Sequence, residues 1–470
     1  MWEKFKTVCL IFLIITSILL TYRLWFSHPL LEEGTVPRYE YVYFTPPPSV
    51  YEIVQPVEAI FFSGDKTHLF RRGNSEYQRL WAQAWQVLTQ KANLGKIRRN
   101  SNSELETALE TATCRLVFPF HPALPLAFIS DRQVAGDTKI SKITFLWAEE
   151  NYTVFLEGEE IFSLSLPDAA AIEALLPVKE NPCIPLPSKF IFNADAGLVA
   201  MENDEGLLEE RLLPNGSGSG IFNSNTASLP PGSWEINVSR EIFVETGALL
   251  AQEISLERKN IGREELVKAF FLDLSLARRI EEKDGAVYFT DGEKGLRIYA
   301  SGLVEYTAPR PENSFRRPLS YDLSLQKGVE SQSIYGGFLP GTFLYDVQDA
   351  GAGCRMIWRR VINDLVLEGE NAGCEILLEG QDVSFLRRNF LLAGTKIAAR
   401  RPFRPFTEAL CQALLLQQER LQEREGATLL SLRPVYYLPT GNEERAIPAW
   451  AVNFAETGTI YLHWSSLEPL

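Results

Sequence analysis

The run TVCLIFLIITSILLTY from Thr7 to Tyr22 contains no charged side chain, and it constrains this chain more than any other segment. Extended through Phe26 it gives residues 7–26, about 20 positions, and at roughly 1.5 Å per residue a helix of that length crosses a ~30 Å hydrocarbon core. Lys4 and Lys6 precede the run whereas Glu32 and Glu33 follow it. The positive-inside tendency therefore puts residues 1–6 in the cytoplasm and everything after residue 26 outside it. The exit sequence Arg23-Leu24-Trp25-Phe26-Ser27-His28 has no small-x-small cleavage pattern, so the segment is expected to remain as a single-pass anchor in the cell membrane. Thr7, Ile14 and Thr21 recur at intervals of seven, and Ser17 follows at the three-residue offset. Small hydroxyl side chains let helices approach closely in lipid, which makes Thr7, Ile14, Ser17 and Thr21 a candidate partner-binding seam. The same hydroxyls are also satisfied by their own preceding carbonyls, with no partner at all.

The remainder of the 470 residues is too long for one compact core, and three units are expected. A formal charge of −14 repels nucleic acid. Six cysteines are scattered without metal-type spacing, and no disulfide framework can be read from them. Four histidines, His28, His68, His121 and His463, form no HExxH or paired set, and neither a CxxC nor a G-x-S-x-G elbow is present. Adjacent acids such as Glu159-Glu160 and Glu281-Glu282 read as solvated faces rather than as glycosidase carboxylates. No catalytic residue, metal site or cofactor is expected, and the chain does not read as an enzyme.

Residues 35–182 read as an N-terminal ectodomain. A strand is expected at Arg38 to Phe44 and another at Val57 to Phe62. A helix capped by Asn74-Ser75 carries Tyr77, Trp81, Trp85 and Leu88 on one face, a stripe better read as core than as a ligand site. Ser103 with Glu106 suggests a capping box for a second helix. A meander then runs over Ile143 to Trp147, Tyr152 to Leu156 and Glu160 to Leu166. Prolines 177, 182, 185 and 187 mark a boundary near residue 182. The middle domain, 183–308, holds a helix at Arg263 to Phe271 followed by strands through Tyr306. A linker is expected over 309–345. The C-terminal domain, 346–470, has strand-like runs at Cys354 to Leu367, Glu375 to Leu378 and Val383 to Phe390, a helix from Pro405 to about Arg424 with a stripe at Leu410, Leu414 and Leu421, and closing strands through Trp464. Helix-then-meander thus occurs twice. The fold class is α+β, with antiparallel sheets in three extracytoplasmic domains behind one transmembrane helix.

FKTVCLIFLIITSILLTYRLWF at the start, together with FTDGEKGLRIYASGLVEY at 289–306, resembles the YycH (WalH) family of Gram-positive bacteria. The C-terminal part, with RRVINDLVLEG at 359–369 and AIPAWAVNFAETGTIYLHW at 446–464, resembles the YycI (WalI) family and PepSY propeptide-like units. The resemblance implies regulation. It predicts a membrane-anchored extracytoplasmic regulator of an essential cell-wall two-component sensor histidine kinase of WalK type, acting beside a YycI-like protein through its transmembrane helix. The competing reading is an extracytoplasmic inhibitor or chaperone of a secreted hydrolase, since propeptide-like units bind enzymes.

Overall fold

The structure is a computed structural model that describes residues 16–17, 43–90, 97–130, 137–148, 151–166, 174–193, 198–202, 208–209, 233–239, 241–271, 277–309, 319–351, 353–422, 427–441 and 444–470. Residues 43–470 form one compact unit. Apart from Thr16 and Ser17, which are helical, the expected membrane span 7–26 lies outside the described residues, as do residues 38–42 of the first expected strand. The end of that strand, Tyr43 and Phe44, is not extended into a sheet. Among the described residues no helix is long and apolar enough to cross a membrane.

The first sheet is antiparallel, with Lys66–Arg71, Glu58–Ser63, Cys114–Pro125, Lys139–Ala148, Asn151–Gly158, Ile161–Leu166 and Arg98–Asn100 side by side in that order. Because alternate strand residues face opposite sides, both of its faces take a helix. Phe118, Phe120 and Phe145 line the core shared with helix Ser75–Thr89, whose Tyr77, Trp81 and Leu88 are buried as the stripe requires. The Asn74 side chain caps that helix by accepting from the Glu76 amide at 2.8 Å. On the other face, Leu146 and Phe155 receive Leu105 of helix Asn102–Thr111.

The cap of this second helix lies two residues earlier than its sequence suggests. Ser101 and Glu104 form the reciprocal box: the Glu104 amide donates to Ser101 Oγ at 3.4 Å, and the Ser101 amide donates to Glu104 Oε2 at 2.8 Å. Ser103-x-x-Glu106 has the same spacing, so pattern alone does not choose between them. Ser101→Ala is expected to lower stability by about 1 kcal/mol and Ser103→Ala by less than about 0.5 kcal/mol, measured as shifts in the urea midpoint. Equal shifts would place the helix start wrongly.

The central sheet runs Arg278–Glu281, Val287–Thr290, Gly295–Ile298, Val304–Thr307, Asp382–Arg388, Cys374–Glu379, Gly353–Ile362, Thr342–Asp349, each strand antiparallel to the next. Helices Arg263–Phe270 and Tyr321–Ile334 feed its two halves. Helix Tyr321–Ile334 falls inside the expected linker 309–345, where no helix was anticipated. Its buried face is Ser324, Leu325, Gly328, Val329, Ser331 and Gln332, which carries too few large apolar residues to register as an amphipathic stripe. Gly328 permits the close approach, since a Cβ there would lie 2.3 Å from Met356 Sδ. Beyond the first sheet, helix-then-meander therefore occurs three times among the described residues: at 263–307, 321–388 and 406–463.

The expected single run Cys354 to Leu367 is a hairpin, Gly353–Ile362 followed by Leu365–Glu368. Asn363 and Asp364 turn it with φ of 45° and 69°, a left-handed pair that these two residue types tolerate. Leu365–Glu368 then pairs in parallel with Ala427–Tyr437, which joins the central sheet to the C-terminal one. There Leu198–Glu202, Lys189–Asn193, Ser233–Val238, Ala427–Tyr437, Arg445–Phe454 and Gly458–His463 lie in order, covered by helix Phe406–Leu416 through Leu410, Ala413 and Leu414. That helix ends at Gln417, and a short one, Gln418–Gln422, follows.

Hydrophobic burial does not follow chain order. One cluster joins the first sheet to residues 266–390, and a second joins 186–256 to 362–467, so the segment 183–308 contributes to both. The proline-rich stretch near 182 is itself structured, with Cys183–Pro185 pairing with Phe243–Glu245. Among the described residues Cys114, Cys183, Cys354, Cys374 and Cys411 are not joined in disulfides. Cys374 stands opposite Trp358, four positions along the strand from Cys354.

Candidate functional site

Of the expected seam Thr7, Ile14, Ser17 and Thr21, only Ser17 belongs to the described residues. It is helical and exposed; the other three lie outside them.

The most completely built polar site is at the junction of the sheets. Leu365–Glu368 ends on Glu368, whose side chain is 4 % exposed. The adjacent strand supplies Arg433, which reaches Glu368 Oε1 from Nε at 3.0 Å and from Nη2 at 2.8 Å. Tyr461, two strands further, donates its hydroxyl to Glu368 Oε2 at 3.0 Å. Tyr345, from the edge strand of the central sheet, accepts from Arg433 Nη2. Burial pulls the Arg433 guanidinium down, but the Glu368 carboxylate beside it outweighs that and holds it above its ordinary value. Burial raises the Tyr461 hydroxyl, and Glu368 raises it further. Tyr345 is raised chiefly by burial. The Arg433 guanidinium and the two tyrosine hydroxyls therefore keep their protons across the physiological range. The cluster fixes the central and C-terminal sheets to one another.

Three further buried guanidiniums grip backbone carbonyls. Arg72 donates to Pro56 O at 2.7 Å and to Gln55 O; Arg360 donates to Pro340 O at 3.0 Å and to Leu391 O. Arg388 donates to Gln332 O at 3.3 Å, Tyr335 O at 3.0 Å and Gly337 O, and thereby ties off the C-terminal end of helix Tyr321–Ile334. Burial depresses all three, Arg360 to about 10.

Among the described residues no three metal-ligating side chains converge. His68 Nδ1 accepts from the Asn181 amide at 3.2 Å, and the exposed His121 Nε2 lies 3.4 Å from Oδ1 of the half-buried Asp346. His463 meets Ser466 Oγ at 3.1 Å, but the nearby Glu468 carboxylate accepts from that same hydroxyl rather than from the imidazole. The relay order of nucleophile, base and acid is absent there. The signal for the junction was present in the sequence: Glu368 and Arg433 each sit inside an otherwise apolar strand, LVLE and ATLLSLRPVYY. A charge at such a position needs a partner.

These features define an α+β protein in which an N-terminal sheet precedes three helix–meander units, the last two joined through Glu368 and Arg433. Residues 3–132 match the family model described as YycH protein, N-terminal domain. This part of the chain is therefore similar to the YycH family, a family of regulatory proteins. The fold as a whole is similar to the crystal structure of YycH from Bacillus subtilis, with a TM-score of 0.57 at 10% identity over 88% of this chain and 97% of that one. Weaker similarities, which carry no argument, are to an uncharacterized protein from Eubacterium rectale (TM-score 0.36, 10% identity, 50% of this chain and 90% of that one) and to the Bacillus megaterium YpeB C-terminal domain (0.29, 9%, 45% and 96%). Among curated protein sequences no match was found.

Proposed function

We propose that this protein is a membrane-anchored, extracytoplasmic regulator of a two-component sensor histidine kinase of WalK type, beside which a YycI-like protein assembles. In this reading the helix over residues 7–26 makes the contact through Thr7, Ile14, Ser17 and Thr21, and the C-terminal helix–meander unit is YycI- and PepSY-like. The observation that carries the reading is the family match. It begins at residue 3, so the apolar run and most of the first sheet fall within one regulatory-family domain. The absence of any charge between Thr7 and Tyr22 supports the anchor.

The test is co-purification of the kinase with the full chain. Interhelical hydroxyl bonds contribute roughly 0.6–2 kcal/mol each, so replacing Thr7, Ser17 and Thr21 together by leucine is expected to weaken association by about 20-fold or more. The unfolding midpoint of the ectodomain stays unchanged. Association that survives both this variant and exchange of residues 7–26 for an unrelated apolar helix would move the contact to the ectodomain.

A further inference from the structure

The final residues fold back over the edge of the last strand, Gly458–His463. The Leu467 amide donates to His463 O at 2.9 Å, closing a turn. The His463 amide then donates to Glu468 O at 2.8 Å and the Leu470 amide to Tyr461 O at 2.9 Å, with Pro469 opposite Leu462. Residues 468–470 thus supply ladder bonds to an edge that would otherwise present open backbone groups. The turn is not relaxed, since Leu467 holds φ of 61°, left-handed for a branched residue, while its side chain is buried in the C-terminal core.

One side chain holds this turn. His463 Nδ1 lies 3.3 Å from the Ser466 amide, 3.1 Å from Ser466 Oγ and 3.3 Å from Ser465 Oγ. A backbone amide only donates, so Nδ1 must accept there, and the ring proton must sit on Nε2. Protonation of the imidazole puts a second N–H against that donor. We propose that residues 465–470 are a strap held on the strand edge by neutral His463, which lifts and uncovers the edge when the imidazole takes a proton.

The surroundings agree with the geometry. Burial disfavours the charged imidazole, whereas Glu253 and Glu468 favour it; burial is the larger effect, so His463 lies below its ordinary value. Ala449, directly opposite on the neighbouring strand, carries no charge. A depressed value means the strap's stabilisation is fully present above about 6.5, the free imidazole value, and is lost as pH falls through the lower strapped value.

Hydrogen–deuterium exchange of the full chain in detergent micelles tests this, with rates corrected for intrinsic pH dependence. Peptides covering 455–470 are expected to lose protection by about tenfold between pH 7.5 and pH 5.0, the loss of one or two such bonds, while first-sheet peptides keep theirs. In His463→Asn the side-chain oxygen accepts at both pH values, so protection becomes independent of pH. Equal protection of the native chain at the two pH values, or the same loss in His463→Asn, would overturn the proposal.

Discussion

Replacing Arg433 by alanine is expected to destabilise the protein by about 3–5 kcal/mol, because it strands the Glu368 carboxylate in the interior without its cation. Glu368 has its charge balanced by two nitrogens of one guanidinium and by the Tyr461 hydroxyl, and only 4 % of its side chain meets solvent. Removing the guanidinium leaves the desolvation cost and takes away the compensation. Removing both partners has a different consequence. Glu368→Leu combined with Arg433→Met exchanges the pair for apolar volume, and buried pairs treated this way are often neutral or more stable. The double variant is therefore expected to recover most of the loss, although Tyr461 and Tyr345 then lose a partner each. Guanidinium chloride midpoints at constant slope measure all three chains. A cost below about 1 kcal/mol for Arg433→Ala would mean that water reaches the cluster and that it behaves as a surface pair.

Trp81→Ala is expected to cost about 3–5 kcal/mol through the cavity it leaves. Trp81 is 2 % exposed, with ring centroids of Phe118 and Phe120 each at 5.5 Å, so a large part of the contact between helix Ser75–Thr89 and the first sheet passes through it. Its indole nitrogen also donates to Tyr51 O at 3.0 Å, and truncation deprives that carbonyl of its donor. Trp85, one turn on and only partly buried, is the control. It stacks on Tyr51 at 5.9 Å at the margin of the core, and Trp85→Ala should cost clearly less. The same denaturant midpoints separate them, and equal losses would show that the stripe does not point where the fold places it.

The two residues differ in how far the sequence announced them. Tyr77, Trp81 and Leu88 were readable because a helix repeats every 3.6 residues, and a sheet of alternating apolar residues was there to receive them. The meander strands at 139–166 and 287–307 were readable for the same reason, from alternation and turn residues. Helix Tyr321–Ile334 was not, because its burial depends on Gly328 fitting against Met356 and Trp358, a fit that exists only once the central sheet has formed. The hairpin at Asn363-Asp364 was hidden inside an apolar run whose two halves have the same composition. Glu368, Arg433, Tyr345 and Tyr461 come from four separate strands; each was visible as a residue, and none as a member of a site.

By itself the sequence determined the uncharged run at 7–22, the α+β class, the antiparallel meanders and the core stripe of helix Ser75–Thr89, all of which follow from local periodicity and charge. Only the tertiary structure decided that residues 186–256 pack with 362–467 while 266–390 pack with the first sheet, and that a carboxylate and a guanidinium 65 residues apart close the junction between them. Periodicity tells a segment which face to bury. What that face is buried against depends on contacts between residues distant in the chain, and these carry no mark in the local pattern.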